Sequence, residues 1–131
     1  MTATAVETAH VAGVDVPTAH FIGGEWRPST RTFVDLSPID EQPLADVHLA
    51  GAEEVQAAVA AAVDAFPAWA ALGARGRAEL LHRLADLIDE NVETLARVEC
   101  VDMAMLLRSL RARVIHRGAR NFHSYADLAV A

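Results

Sequence analysis

Apolar and polar positions alternate over short runs in the first third of the chain and recur at a helical interval after it. His20-Phe21-Ile22, Gly23-Gly24 and Glu25-Trp26 read as strand, tight turn and strand, because paired glycines tolerate positive φ. Pro28-Ser29 ends that hairpin. Thr32-Phe33-Val34-Asp35-Leu36 alternates and is partly β-branched, Ser37-Pro38-Ile39-Asp40 carries turn chemistry, and Leu44-Ala45-Asp46-Val47-His48 alternates again. From Gly51 the interval changes. Val55, Val59, Ala62, Val63 and Phe66 predict a helix capped by Gly51, with Glu53 and Glu54 in the first turn and Pro67 and Gly73 as its stop. A second helix is predicted from about Arg75 to Glu90, with Leu80, Leu81, Leu84, Leu87 and Ile88 on one face. Asn91 marks a break before Val92, Leu95, Ala96 and Val98 resume. Between Leu107 and Leu128, a last stripe carries Leu107, Leu110, Val114, Phe122, Tyr125 and Ala129. Residues 1–19 are small and lack a sustained period, so they are expected to form a mobile tail. The expected fold class is α+β: an N-terminal β-hairpin and short strands followed by three or four amphipathic helices.

Composition narrows the function classes. With 53% hydrophobic and 22% charged residues over 131 positions, the chain has the balance of one globular domain. Acids and arginines interrupt every apolar run before the roughly 18 residues a membrane span requires, so no membrane association is expected. The first nineteen residues hold no Lys or Arg, unlike a secretory or transit leader, which makes the cytoplasm the expected compartment. One cysteine leaves no internal disulfide and no multi-cysteine metal site. All eleven basic residues are arginines. Without lysine, a Gly-Lys-Ser/Thr phosphate loop, a pyridoxal Schiff base and a kinase-type lysine are chemically excluded. The net charge of −7 also argues against nucleic acid as a partner.

The candidate chemistry is sparse. Cys100 is the one thiol, but a reactive thiol needs a neighbouring cation, a base or a helix N-terminus, and Cys100 stands between Glu99 and Asp102. A semi-buried helix position is its expected role. Glu79-Leu-Leu-His82 and Glu7-Thr-Ala-His10 share the Glu-x-x-His spacing of di-iron bundles, which need two such copies on facing helices plus two more carboxylates. Glu79, His82 and Asp86 are expected opposite the leucine face, in solvent, and Glu7 and His10 in the tail. Of Arg108, Arg111, Arg113, Arg117 and Arg120, only Arg113, Arg117 and Arg120 share a helix side, where exposed ion pairs contribute about 0–1 kcal/mol each. No Gly-x-Gly-x-x-Gly occurs to cradle a pyrophosphate.

The order of segments carries more than any one of them. His20-Phe21-Ile22-Gly23-Gly24-Glu25-Trp26, then Leu36-Ser37-Pro38-Ile39-Asp40-Glu41 with Leu44-Ala45-Asp46-Val47, resembles the opening of the aldehyde dehydrogenase superfamily. There a Phe-Ile-Asn-Gly-x-Trp hairpin precedes Asn-Pro-Ala-Thr-Gly-Glu. Residues 53–62 with Ala65-Phe66-Pro67-Ala68-Trp69 are similar to the family's first helix, and residues 77–88 to its second. Arg117-Gly118-Ala119-Arg120-Asn121-Phe122, followed by Tyr125-Ala126-Asp127, resembles the branch that oxidises hydroxymuconate-type semialdehydes in aromatic catabolism. The resemblance covers about residues 20–128. One stretch departs from it: residues 99–106 stand where the family usually has Glu-Thr-x-Asp-x-Gly-x-Pro. Ala104 and Leu106 there replace a helix-stopping Gly and Pro, so Met103 to Leu107 is expected to be more helical than in relatives.

The resemblance implies that residues 20–131 are the N-terminal portion of an α/β aldehyde dehydrogenase domain, incomplete by itself. The family's cofactor is NAD(P). Its nicotinamide-binding strands, catalytic cysteine, oxyanion-hole asparagine and general-base glutamate come after the matched stretch, so no cofactor is expected on this chain. In some members the position matching Asp102 and the backbone carbonyl near Leu36 help to bind a monovalent cation, which makes Leu36 and Asp102 the candidate metal residues. The expected partner is a second copy or the missing catalytic portion. An alternative from a different class is a small non-catalytic helical module that binds a protein partner.

Overall fold

The structure is a computed structural model and describes residues 6–131. The chain divides between Ala65 and Phe66 into two compact units.

The first unit holds three antiparallel hairpins: β1 (Thr8–Val11) with β2 (Val14–Pro17), β3 (His20–Ile22) with β4 (Glu25–Arg27), and β5 (Thr32–Leu36) with β6 (Pro43–His48). The β3–β4 turn is the one the glycine pair predicts. Gly23 and Gly24 take φ of 63° and 84°, the positive values that match a two-residue turn to the twist of its strands. The expected tail over residues 1–19 is corrected in its described part, where β1 and β2 pair from Thr8↔Pro17 to Val11↔Val14. Their turn uses the same geometry, with Ala12 at φ 51° and Gly13 at 81°. An alanine in a left-handed position hid the turn from a reading that looks for Gly or Asn there. Val11 is buried, and β1 lies against β6, so this hairpin has a packing partner. Residues 1–5 lie outside the described part. The β5–β6 ladder has an irregular register between Asp35 and Leu36, at the edge of the Ser37–Asp40 turn.

Helix α1 (Ala52–Ala71) opens on Gly51, whose N–H donates to Glu54 Oε2 at 2.6 Å. This is one half of a capping box, and it holds the Glu54 carboxyl below its ordinary value. Pro67 does not stop the helix as expected, since α1 runs on through it to Ala71. Proline fixes φ near the helical value and forfeits one backbone bond, a cost the helix absorbs here. The stop comes with Gly73, at φ 66°.

The second unit contains α2 (Gly73–Glu90), α3 (Val92–Asp102), a single turn α4 (Leu107–Ser109), a π-helical segment (Leu110–Val114) and α5 (Ile115–Val130). Asn91 separates α2 from α3 as predicted, and its side-chain amide donates to the Leu87 carbonyl at 2.8 Å. The inward face of α2 differs from the expected one. Ala78 and Ala85 are buried, Leu81, His82 and Ile88 are half-buried, and Leu80, Leu84 and Leu87 point outward. α2 packs mainly on α5, which buries Ala119 and Ala126. Small residues let two helices approach closely, so the alanines and not the leucines define the seam. On α5, Tyr125 likewise lies outside and His123 lies at the seam.

The expected helix across Met103 to Leu107 is also corrected. α3 ends at Asp102, Ala104 adopts φ 51°, and Leu106 is extended at ψ 119°. The next turn starts when the Ser109 and Leu110 N–H groups donate to the Leu106 carbonyl. Local propensity yields here to packing, because the π-helical segment folds back on α3 and carries the fully buried Leu110. A left-handed alanine costs about 1–2 kcal/mol relative to the right-handed form, and glycine escapes most of it. Ala104→Gly is therefore expected to stabilise the chain by about 1 kcal/mol in urea unfolding. A loss of stability would show that the alanine methyl makes a contact worth more than the strain.

Among the described residues no single helix is long and apolar enough to cross a membrane. α1 and α2 pass that test only as a bent pair, by length and composition, as the core helices of soluble proteins also do.

Candidate functional site

In the first unit the polar centre is His48, at the end of β6, with only 8% of its side chain exposed. Its Nε2 lies 2.7 Å from Glu7 Oε2, and its Nδ1 faces both the N–H of Ser29, at 3.0 Å, and its carbonyl, at 2.9 Å. The neutral ring accepts from the Ser29 N–H, and the protonated ring donates to the Ser29 carbonyl. Ser29 Oγ itself donates to the Arg31 and Leu49 carbonyls, so it is committed to holding the loop and not to the ring. The hydrogen bond that His48 donates to the Glu7 carboxylate raises the His48 pKa above its ordinary 6.5, against the desolvation that would lower it. A raised histidine pKa stabilises the fold fully below the unfolded value, and that contribution fades as pH rises through the folded value. An NMR titration of His48 is expected to show a midpoint above 6.5 that falls in Glu7→Gln. Equal midpoints in the two proteins would remove Glu7 as the cause. Sequence reasoning missed this pair because it placed Glu7 in a tail; its neighbour His10 pairs instead with Asp15 across β1–β2, at 2.8 Å.

His20, Phe21, Ile22, Ala50, Glu54, Val55 and Ala58 line a hollow of about 260 Å³ in the same unit. His20 Nε2 is buried there without a hydrogen-bond partner among the described residues.

In the second unit a ladder of histidines and aspartates runs beside the alanine seam of α2 and α5. His116 Nδ1 lies 2.7 Å from Asp89 Oδ1, His82 Nδ1 lies 2.7 Å from His123 Nδ1, and His82 Nε2 lies 3.1 Å from Asp127 Oδ1. The pairing order makes α2 and α5 antiparallel. His82 thus belongs to a half-buried seam and not to the solvent face expected for it, whereas Glu79 is exposed. The two Glu-x-x-His copies fall in different units, and among the described residues no three His, Cys, Asp or Glu side chains gather as metal ligands. Beyond the seam, Glu93 on α3 accepts from Arg97 at 2.7 Å and from Arg111 of the π-helical segment, which holds its carboxyl below the ordinary value. Arg111 thereby leaves the basic run for an internal tie. Arg113, Arg117 and Arg120 are exposed, as the wheel predicts. Cys100 is half-buried on α3, in its expected structural place. Leu36 ends β5 in the first unit, and Asp102 ends α3 in the second, both exposed. An apolar hollow of about 400 Å³ between α2, α3 and α5 is lined by Ile88, Leu95, Val98, Val114, Ile115 and Gly118, with Glu99 its one charged group. Such a lining packs hydrocarbon and offers little to a reacting group.

The sequence pattern of the aldehyde dehydrogenase family matches residues 26–131. The chain is 42% identical over 113 residues to the 2-hydroxymuconic semialdehyde dehydrogenase of Pseudomonas sp. (strain CF600). It is 37% identical over 109 residues to the 5-carboxymethyl-2-hydroxymuconate semialdehyde dehydrogenase of Escherichia coli. Each match takes in 83% of this chain and 23% of the relative, so the chain spans less than a quarter of the length of these proteins. Two solved structures of PnpE, one from Pseudomonas sp. WBC-3 and one in complex with nicotinamide adenine dinucleotide, superpose with a TM-score of 0.81 at 35% identity. They cover 85% of this chain and 23% of their own. Over the matched residues the fold thus follows a known framework, and the chain belongs to the aldehyde dehydrogenase family.

Proposed function

We propose that this chain forms the N-terminal part of an NAD(P)-dependent dehydrogenase that oxidises a hydroxymuconate-type semialdehyde to its carboxylate, in the cytoplasm, during aromatic catabolism. The observation that carries this reading is the match, over 83% of this chain, to a 2-hydroxymuconic and a 5-carboxymethyl-2-hydroxymuconate semialdehyde dehydrogenase. Such an oxidation needs a thiol nucleophile, a hydride acceptor and a general base. We assign all three to the length of such an enzyme that this chain does not match, and to this chain a structural role. The outward leucines of α2 and Tyr125 of α5 then face the rest of the enzyme. The same matches lend no support to an independent helical module.

A chimera tests the reading. Residues 26–131 would replace the matching segment of the Pseudomonas relative, and NADH formation from 2-hydroxymuconic semialdehyde would be followed. Activity within about tenfold of the parent is expected. A soluble, assembled chimera without activity would overturn the proposal. The isolated chain, in contrast, is expected neither to bind NAD in calorimetry nor to form NADH; NADH formation abolished by Cys100→Ala would reassign the catalytic role to this segment.

A further inference from the structure

Two imidazoles in the second unit turn the same ring nitrogen toward each other, with His82 Nδ1 and His123 Nδ1 2.7 Å apart. Each ring's other nitrogen meets a carboxylate, His82 Nε2 at Asp127 and His123 Nε2, at 3.4 Å, near Asp86. A carboxylate at Nε2 favours the Nε2–H tautomer, which leaves the lone pair on Nδ1. With both protons on Nε2 the two rings are acceptors at the one place where they meet, and with one proton on Nδ1 they share an ordinary hydrogen bond there. Two acceptors at that distance repel unless something positive lies between them. A metal ion would satisfy both lone pairs at once.

We propose that His82 and His123 form a two-histidine site for an imidazole-preferring divalent ion such as zinc, with Asp127 and Asp86 as positioning residues. Zinc–nitrogen bonds of about 2.0–2.1 Å at a tetrahedral angle place the two nitrogens about 3.3 Å apart, so the rings need to part by about 0.6 Å. Side-chain rotation supplies that movement while the helices stay fixed by Ala78, Ala85, Ala119 and Ala126, all buried. The two histidines are 35% and 34% exposed, which lets water reach the ion and fill its remaining positions. Nitrogen ligands favour zinc and its late first-row neighbours over magnesium or calcium, which prefer oxygen.

The test is a calorimetric titration of the whole chain with Zn²⁺, with Mg²⁺ in parallel. One saturable Zn²⁺ site is expected, and no saturable heat from Mg²⁺. His82→Gln and His123→Gln are each expected to weaken Zn²⁺ binding at least tenfold. Asp127→Ala should weaken it about tenfold, in line with the 10–100-fold usual for such outer partners. His116→Gln, at the Asp89 rung, should leave it unchanged. Substitution at the seam risks the helix pairing, so the unmodified protein supplies a second readout: ¹⁵N ring resonances of His82 and His123 should shift with Zn²⁺ while those of His10, His20, His48 and His116 do not. No saturable Zn²⁺ heat, binding that survives both glutamine substitutions, or ring shifts confined to other histidines would overturn the proposal.

Discussion

Leu110→Ala is expected to lower the stability of the chain by about 2–5 kcal/mol, the range for a leucine truncated at a site that cannot collapse. Leu110 is the one large side chain with no exposed surface among the described residues, and it stands where the π-helical segment begins to pack on α3 and α5. The other fully buried positions, Ala85, Ala96, Ala119 and Ala126, bury little hydrocarbon each. A loss of that size is a large share of the roughly 5–15 kcal/mol that holds a domain together. Urea unfolding followed by circular dichroism measures it. A change below about 1 kcal/mol would mean that neighbouring side chains fill the space.

The second large effect is on association. Leu80, Leu84 and Leu87 form an outward row on α2, between 41% and 47% exposed, and Tyr125 and Leu128 on α5 are more exposed still. Each large side chain left in water forgoes about 1.5–3 kcal/mol of burial, which is the drive for two such surfaces to meet. The isolated chain is expected to self-associate in analytical ultracentrifugation and to bind a hydrophobic dye. Replacing all three leucines with glutamine is expected to shift it to monomer with a stability change of only about 0.5 kcal/mol per site, as for surface positions. A monodisperse monomer before any substitution would show that the row needs no cover. A loss of several kcal/mol on replacement would show that the leucines belong to the core.

Much of the fold is legible in the sequence because it rests on backbone chemistry. Gly23-Gly24, the turn after Leu36, the first-turn glutamates of α1 and Asn91 each act on their own neighbours, and each appears where the pattern places it. What was not legible depends on contacts distant in sequence. The wheel for α2 selects the face with the most hydrocarbon, whereas the seam selects the face that lets α5 come close, and the two differ by about one residue's rotation. His82 and His123 stand 41 positions apart, so no local spacing announces their meeting. Ala12 and Ala104 hide two turns because both take a left-handed conformation without the residue that usually signals it.

The alanine seam has a further consequence for how α2 and α5 come together. Alanine has no side-chain rotamers to freeze, so the four buried alanines add almost no side-chain entropy cost to closing this contact, where leucines or methionines in their places would add about 0.5–2 kcal/mol per residue. The same economy makes their tolerance to change one-sided. At these four positions there is little side chain to lose, yet any enlargement at Ala78, Ala85, Ala119 or Ala126 must push two backbones apart, at about 1–3 kcal/mol for each overpacked site.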